Sequence, residues 1–187
     1  MNQQRIQSTR GARAPEPQVW VSTGGATLTL RAVRSSDADL FVKLAREVSP
    51  GAAYFRFGRF KVDDLDFDQI HSICDPDPAR MLHIVAEACE HGQVSLAGNV
   101  RLEIDEASRE AEFVILVADR WHRHGLGANL LRMLLQQAKE RGLTEITARV
   151  LPSNWPMQRF LGSMGFELLD KNPSDGLKYR FDLTKHR

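Results

Sequence analysis

The clearest pattern of hydrophobic and polar positions lies in the middle of the chain. Residues 111–118 are almost continuously apolar and are typical of a buried strand. Residues 125–141 follow the period of a helix with a broad apolar face. That face is formed by Leu126, Leu130, Leu131, Leu134, Leu135 and Ala138. Gly142 stands where a left-handed residue ends a helix, so a strand, a short basic loop and a helix are predicted.

Weaker patterns of the same two kinds extend over most of the remaining chain. Strands are predicted at residues 27–33, 81–87, 94–104, 145–150, 166–169 and 177–183, and helices at residues 35–46, 63–74 and 152–165. Antiparallel strands come first, and a strand–helix–strand–helix unit follows. We therefore expect one domain over residues 26–185, of the α+β (mixed α/β) class, with a twisted mixed sheet of six to seven strands and about four helices.

The first 25 residues differ in composition from this domain. Arg5, Arg10 and Arg13 precede the first acidic residue, Glu16, among Gln, Ser, Gly and Pro. This composition predicts a disordered basic tail, with a transit peptide as the alternative. We leave residues 1–25 out of the predicted fold.

Composition narrows the range of functions. The 187 residues carry a formal net charge of +1, which gives no general attraction to nucleic acid or to a membrane surface. The two cysteines, Cys74 and Cys89, form neither a disulfide framework nor a metal motif, and they favour reduced thiols in a cytoplasmic protein. We predict no metal and make no prediction of oligomeric state.

The start of the central helix carries the strongest indication of chemistry. No Ser, Thr, Asp or Asn stands at its cap position, so its first backbone N–H groups lack a side-chain partner. Gly125 and Gly127 allow close approach to the backbone. The flanking cations are Arg120, His122, Arg123 and His124. These features indicate a phosphate or pyrophosphate site, although an ordinary strand–loop–helix corner is equally compatible with them.

Two common phosphate loops do not fit this stretch. A Walker loop requires Gly-Lys-Ser/Thr, and the dinucleotide fingerprint requires a third glycine where Leu130 stands. Val117 to Leu131 instead resembles motif A of the GCN5-related N-acetyltransferase (GNAT) family, Arg/Gln-x-x-Gly-x-Gly/Ala, with His122 at the Arg/Gln position. Asn154 with its following helix and Met164-Gly165-Phe166 resembles motif B of the same family.

The resemblance covers Thr27 to Leu183 and implies the GNAT fold and binding of acetyl-CoA. By resemblance, the loop amides hold the pyrophosphate and the backbone near Leu116 and Val117 serves as the oxyanion donor and cofactor-pairing edge. The implied cofactor-binding residues are Leu116, Val117, His122, Arg123, His124, Gly125, Leu126, Gly127, Ala128 and Asn154. In many members a Tyr acts as general acid at the position of Leu161, so no side-chain acid is predicted here.

Within the family, residues 49–57, 111–113 and 121–127 most resemble bacterial protein lysine acetyltransferases, which modify acyl-CoA synthetases. In those proteins the Glu of the Ala-Glu-Phe motif is the general base, so the resemblance implies that role for Glu112. A protein lysine is thus the expected acceptor. A small amine (polyamine, amino acid or antibiotic) is the first alternative, and an inactive acyl-CoA-binding module is the second.

Two residue assignments remain open at the level of sequence. If Ile104 pairs with Arg109, then Arg101 stands opposite Glu112, and an ion pair competes with the catalytic role. The aromatic and basic stretch from Tyr54 to Phe60 fits either a core plug under a loop or a wall that faces the acceptor.

Overall fold

The computed structural model of this protein describes residues 14–57, 67–105, 111–172 and 176–185. The strands are β1 (Gln18–Val21), β2 (Thr27–Ala32), β3 (Met81–Glu90), β4 (Gln93–Ile104), β5 (Ala111–Val117), β6 (Glu145–Val150), β7 (Glu167–Asn172) and β8 (Gly176–Asp182). The helices are α1 (Ala38–Arg46), α2 (Pro50–Phe57), α3 (Phe67–Cys74), α4 (Leu126–Glu140) and α5 (Trp155–Ser163). The predicted α+β class is confirmed, with eight strands and five α-helices among the described residues.

One sheet contains all eight of these strands, in the order β1-β2-β3-β4-β5-β6-β8-β7. Neighbouring strands run antiparallel except β5 and β6, which are parallel and pair at Glu112 and Thr147. Helix α4 makes the crossover between them, as a parallel pair requires. Beyond this one point of pairing the two strands separate, and their separation opens a cleft in the middle of the sheet.

The two faces of the sheet carry different helices. Helix α4 buries Leu126, Leu130 and Leu134 completely and packs on β3, β4 and β5. Helix α1 packs on the opposite face, where the ring of Phe41 meets His83 edge-on. We call these the α4 face and the α1 face. Side chains of β5 alternate between them, so Glu112 lies on the α1 face and Phe113 on the α4 face.

Three differences from the predicted elements concern the first half of the chain. Gln18–Val21 forms edge strand β1, so the prediction of a disordered segment is wrong for these residues of the tail. Helix α2 begins at Pro50, in a region where no helix is predicted. Proline is well tolerated there because it occupies the first turn of the helix. The predicted helix over residues 63–74 is observed from Phe67, and its first four residues lie outside the described ranges.

The strand alignment that would place Arg101 opposite Glu112, one of the two alternatives left open for Glu112, is not the one observed. Glu112 stands opposite Glu103, and Arg101 stands opposite Val114. The alignment of the two strands depends on the connection between them, whose residues 106–110 lie outside the described ranges.

Asp37 precedes α1, but its side chain makes no capping hydrogen bond to that helix and belongs to a buried ionic cluster. Both guanidinium Nη atoms of Arg31 donate to its carboxylate, at 2.7 and 2.8 Å, and Arg31 also donates to Glu87 at 2.6 Å. Burial is the largest single influence on Asp37 and raises its pKa. The hydrogen bonds from Arg31 and from the Arg34 backbone, with both positive charges, outweigh burial, so that the pKa of Asp37 is lowered.

Candidate active site

The cleft between β5 and β6 has a volume of about 1150 Å³. Its walls come from the second half of β5, the loop before α4, the start of α4, the end of β6 and the first turns of α5. Helix α2 adds Ala52 and Phe55 to the lining. Phe55 belongs to the aromatic and basic stretch that fits either a core plug or a wall facing the acceptor. At the narrow end, the Thr147 hydroxyl donates to the carbonyl of Ala111 at 3.2 Å and ties the two strands together.

The start of α4 forms one wall of this cleft. Gly125 is its N-cap, in the left-handed conformation with φ = +87°, and within the described chain no side chain caps this helix start. The N–H groups of Leu126, Gly127 and Ala128 therefore lack an acceptor inside the helix. Gly127 lies beside Ile115 and Phe160, 3.8 Å from where a Cβ would be. Open N–H groups and the positive end of the helix dipole suit a pyrophosphate.

Short hydrogen bonds fix the conformation of this loop. His122 Nε2 donates to the carbonyl of Val117 at 2.9 Å, and the Asn129 side-chain amide donates to the carbonyl of Gly125 at 2.9 Å. Arg123 has φ = +61°, an uncommon value for a residue with a side chain. These hydrogen bonds hold the loop in its conformation, and the imidazole of His122 serves to fix the loop backbone.

The turn between β1 and β2 lies against the outer side of the loop. Thr23 Oγ1 is 3.4 Å from His124 Nδ1, and the ring of Trp121 meets the ring of His124 edge-on. Trp20 lies 3.7 Å from where a Cβ of Gly125 would be. Sequence reasoning missed this support because it assigned residues 1–25 to a disordered tail. The run Val19-Trp20-Val21, of β-branched and aromatic residues, was the available signal.

Nine of the ten predicted cofactor-binding residues line the cleft. They are Leu116, Val117, His122, Arg123, Gly125, Leu126, Gly127, Ala128 and Asn154. Leu126 is fully buried, so its side chain is not available to a ligand. His124 is outside this lining and contacts the β1–β2 turn instead.

The predicted base, Glu112, is at the edge of the cleft. It immediately precedes Phe113, the first lining residue of β5, and its carboxylate accepts a hydrogen bond from Arg149, a lining residue. The distance between Arg149 Nε and Glu112 Oε2 is 3.4 Å, and each side chain is 41% exposed. The ion pair anticipated for Glu112 thus exists, but its partner comes from β6. Sequence reasoning missed Arg149 because the parallel pairing of β5 and β6 could not be aligned in advance.

Residues of α5 complete the cleft. The side chain of Asn154 caps this helix by accepting from the Met157 N–H at 3.2 Å. Leu161, at the expected position of a general acid, is fully buried. Among the described residues, no group of three or more His, Cys, Asp or Glu side chains could hold a metal ion.

Comparisons with known proteins identify the family. A model of the acetyltransferase (GNAT) family matches residues 51–166, which include the whole cleft-forming loop and α4. The chain therefore belongs to the GNAT family, and its sheet and helices form the GNAT fold. A Pseudomonas aeruginosa protein named as an acetyltransferase is 24% identical over 177 residues, which cover 93% of this chain and 94% of that protein.

Two solved structures show the extent of the structural similarity. The GNAT domain of the Streptomyces protein S. lividans PAT matches with a TM-score of 0.78 at 24% identity, over 89% of this chain and 96% of that one. The spermidine N-acetyltransferase of Vibrio cholerae, in complex with CoA and spermine, matches with a TM-score of 0.64 at 22% identity. That match covers 84% of this chain and 96% of the other.

These findings define the reaction class. The protein is an N-acetyltransferase, and acetyl-CoA is its acetyl donor. The uncapped start of α4 and the two glycines fit the pyrophosphate of this co-substrate. Within the described ranges, no helix is both long and apolar enough to span a membrane.

Proposed function

We propose that the protein acetylates the side-chain amine of a lysine in another protein, with Glu112 as the general base. The observation that supports this proposal is the position of Glu112 on the strand that leads directly into the phosphate loop, in contact with a residue of the cleft. The resemblance to bacterial protein lysine acetyltransferases suggests acyl-CoA synthetases as acceptors. Arg123 and the N–H groups of Leu126, Gly127 and Ala128 would hold the pyrophosphate of acetyl-CoA.

The chemistry requires a neutral amine, because a lysine ammonium with a pKa of about 10.4 has no free lone pair. Glu112 removes one proton from the ammonium, and the amine nitrogen then forms a bond to the thioester carbonyl carbon. The carbon–sulfur bond breaks, and CoA leaves as a thiolate that takes a proton from water. The second proton of the nitrogen passes to solvent, and Glu112 then releases its proton to solvent as well, which restores the carboxylate. Acetyl-lysine, CoA and one released proton balance the reaction.

The developing negative charge on the carbonyl oxygen needs a fixed donor. Of the backbone N–H groups near Leu116 and Val117, that of Val117 is the proposed donor, because it lies on the edge of β5 that faces the cleft beyond the last pairing with β6. The backbone of Leu116 faces β4 instead. Backbone donors are rigid here, since the other edge of β5 is paired with β4 at Asn99 and Gly98. No step in this scheme needs a metal ion.

A small amine is the second candidate acceptor. The similar Vibrio cholerae enzyme is a spermidine acetyltransferase with spermine bound, and this favours polyamines among the small amines. A purified acyl-CoA synthetase and a polyamine panel, offered separately, distinguish the two acceptors by release of CoA thiol. We expect acetyl-lysine on the synthetase, detected by mass spectrometry. Turnover with polyamines but not with the synthetase would show that a small amine is the acceptor.

The first prediction concerns the cofactor site. Gly125→Glu places a carboxylate at the pyrophosphate position, so we expect acetyl-CoA binding to fall below detection in calorimetry. Gly142→Glu is the matched control, because Gly142 also has a left-handed backbone (φ = +79°) and ends α4 at its far end. Both variants carry the same backbone strain, of about 1–3 kcal/mol. Equal acetyl-CoA affinity in the two variants would show that the loop does not bind the pyrophosphate.

A further inference from the structure

Four charged side chains lie on the α1 face where β4, β5 and β6 run side by side. Glu103 and Glu112 stand directly opposite each other on neighbouring strands, an arrangement that repels unless each acid has a partner. Arg101 pairs with Glu103 at 2.6 Å, and Arg149 pairs with Glu112 at 3.4 Å. Each acid therefore has its own guanidinium, and the second pair is at the edge of the cleft.

The Glu112–Arg149 pair is the looser of the two. Arg101 is largely covered, with a side chain 16% exposed, whereas Glu112 and Arg149 are both 41% exposed. One long contact between exposed groups is worth only about 0–1 kcal/mol, so an incoming charged group can separate them at little cost. The ammonium group of an acceptor can therefore replace Arg149 beside Glu112, the proposed base.

The charges around the cleft indicate what Arg149 does after that replacement. Among the lining residues that the structure describes, the arginines are Arg123, Arg149 and Arg159, and Asp119 is the one acidic residue. Arg123 belongs to the phosphate loop, whereas Arg149 lies on the α1 face beside Glu112. Arg149 therefore places a positive charge next to the reacting amine, and this charge attracts an anionic group of the acceptor.

We propose that the acceptor presents an acidic group beside its amine, and that Arg149 binds this group while the amine reaches Glu112. The acceptor ammonium takes the place of the Arg149 guanidinium at Glu112, and Arg149 pairs with a carboxylate of the acceptor. The substrate class is therefore a lysine flanked by Asp or Glu. Arg149 is the residue that determines this specificity. The inference rests on the proposed function, because it takes Glu112 as the group that meets the amine.

The test uses three peptides that differ only in the residues flanking a single lysine, with Glu, Gln or Arg at the two positions on each side. Thiol release at low salt gives kcat/KM for each. We expect the Glu-flanked peptide to exceed the Gln-flanked one by about tenfold with the wild-type protein, and the Arg-flanked peptide to be poorest. Arg149→Gln should remove the preference, and Arg149→Glu should reverse it.

Arg180→Gln is the matched control. Arg180 is on β8, directly opposite Thr147, and its side chain is 34% exposed and lies 3.7 Å from Glu167. It is outside the cleft lining, so its loss should leave the preference for acidic flanks unchanged. Thermal unfolding of each variant shows whether the fold is retained.

The outcomes separate this inference from the proposed function. The inference is overturned if the wild-type protein acetylates all three peptides at equal rates, or if Arg149→Glu does not reverse the order of the peptides. Either result leaves the proposed lysine acetylation unaffected. A retained preference in a fully active Glu112→Gln variant rejects Glu112 as the base but supports Arg149 as the specificity residue. Turnover of spermidine with none of the peptides overturns both.

Discussion

Two ion pairs of the same chemical type serve different purposes in this molecule. Arg31 and Asp37 are joined by two hydrogen bonds, and their side chains are only 4% and 3% exposed. Glu112 and Arg149 share one contact of 3.4 Å and are both 41% exposed. The first pair joins β2 to the turn before α1 and belongs to the fold, whereas the second is at the cleft and can be taken apart by a substrate. Burial and geometry, more than residue type, distinguish the two.

The largest effect that the comparison predicts is the loss of stability when the buried pair is broken. Arg31→Met leaves the carboxylate of Asp37 buried without its main partner, and we expect unfolding free energy to fall by about 3–5 kcal/mol. Urea unfolding followed by circular dichroism measures this change.

The exposed pair between Arg120 and Glu90 supplies the control for this measurement. These side chains are 47% and 46% exposed and 2.9 Å apart, so Glu90→Gln should change the free energy by no more than about 1 kcal/mol. A loss in Arg31→Met as small as that in Glu90→Gln would remove the distinction between the buried pair and the exposed ones.

A smaller effect is the pH dependence of the buried pair. The pKa of Asp37 is lower in the folded protein than in the unfolded chain, where it is about 3.9. Its stabilising contribution is therefore complete above pH 3.9 and is lost as the pH falls through the folded pKa. The urea midpoints of wild type and Asp37→Asn should differ at pH 7, and the difference should begin to shrink as the pH falls below about 3.9. A constant difference over this range would exclude ionised Asp37 as the source of the stability.

The smallest predicted effect is that of salt. Exposed charges are screened, since the Debye length falls to about 3 Å at 1 M ionic strength. The preference for acid-flanked lysines should therefore decline as sodium chloride is raised from about 0.05 to 0.5 M. The difference in stability between wild type and Arg31→Met should change little over the same range. Equal salt sensitivity of the two quantities would contradict the assignment of one pair to the fold and the other to the substrate.

The sequence predicted the cofactor side of the cleft better than the acceptor side. The leucine stripe of α4, its end at Gly142 and its uncapped start at Gly125 depend on local patterns, and all three are observed. The partner of Glu112 depends on how β5 is aligned with β4 and with β6, and neither alignment could be read from residue patterns. The predicted partner, Arg101, pairs with Glu103, and the observed partner, Arg149, comes from a strand more than thirty residues later.

The missed elements have equally physical causes. Strand β1 has only four residues and is preceded by prolines, and its stability depends on pairing with β2, so the local composition alone resembles that of a tail. Ser49-Pro50-Gly51 indicated only the end of α1, although the same proline is a suitable first residue for α2. Residues 58–60 of the predicted aromatic wall lie outside the described ranges, and Phe55 is its member at the cleft.

The most direct test of the account is a comparison of Glu112→Gln with Glu103→Gln, the acid directly opposite on β4. Acetyl-CoA affinity, unfolding free energy and kcat with a lysine substrate are measured for both variants. We expect Glu112→Gln to keep affinity and stability but to lose about 10²- to 10⁴-fold in kcat at neutral pH, because a general base contributes about that much. Glu103→Gln should retain nearly full kcat. Wild-type turnover in Glu112→Gln would show that Glu112 is a structural residue and that the base is another group or water.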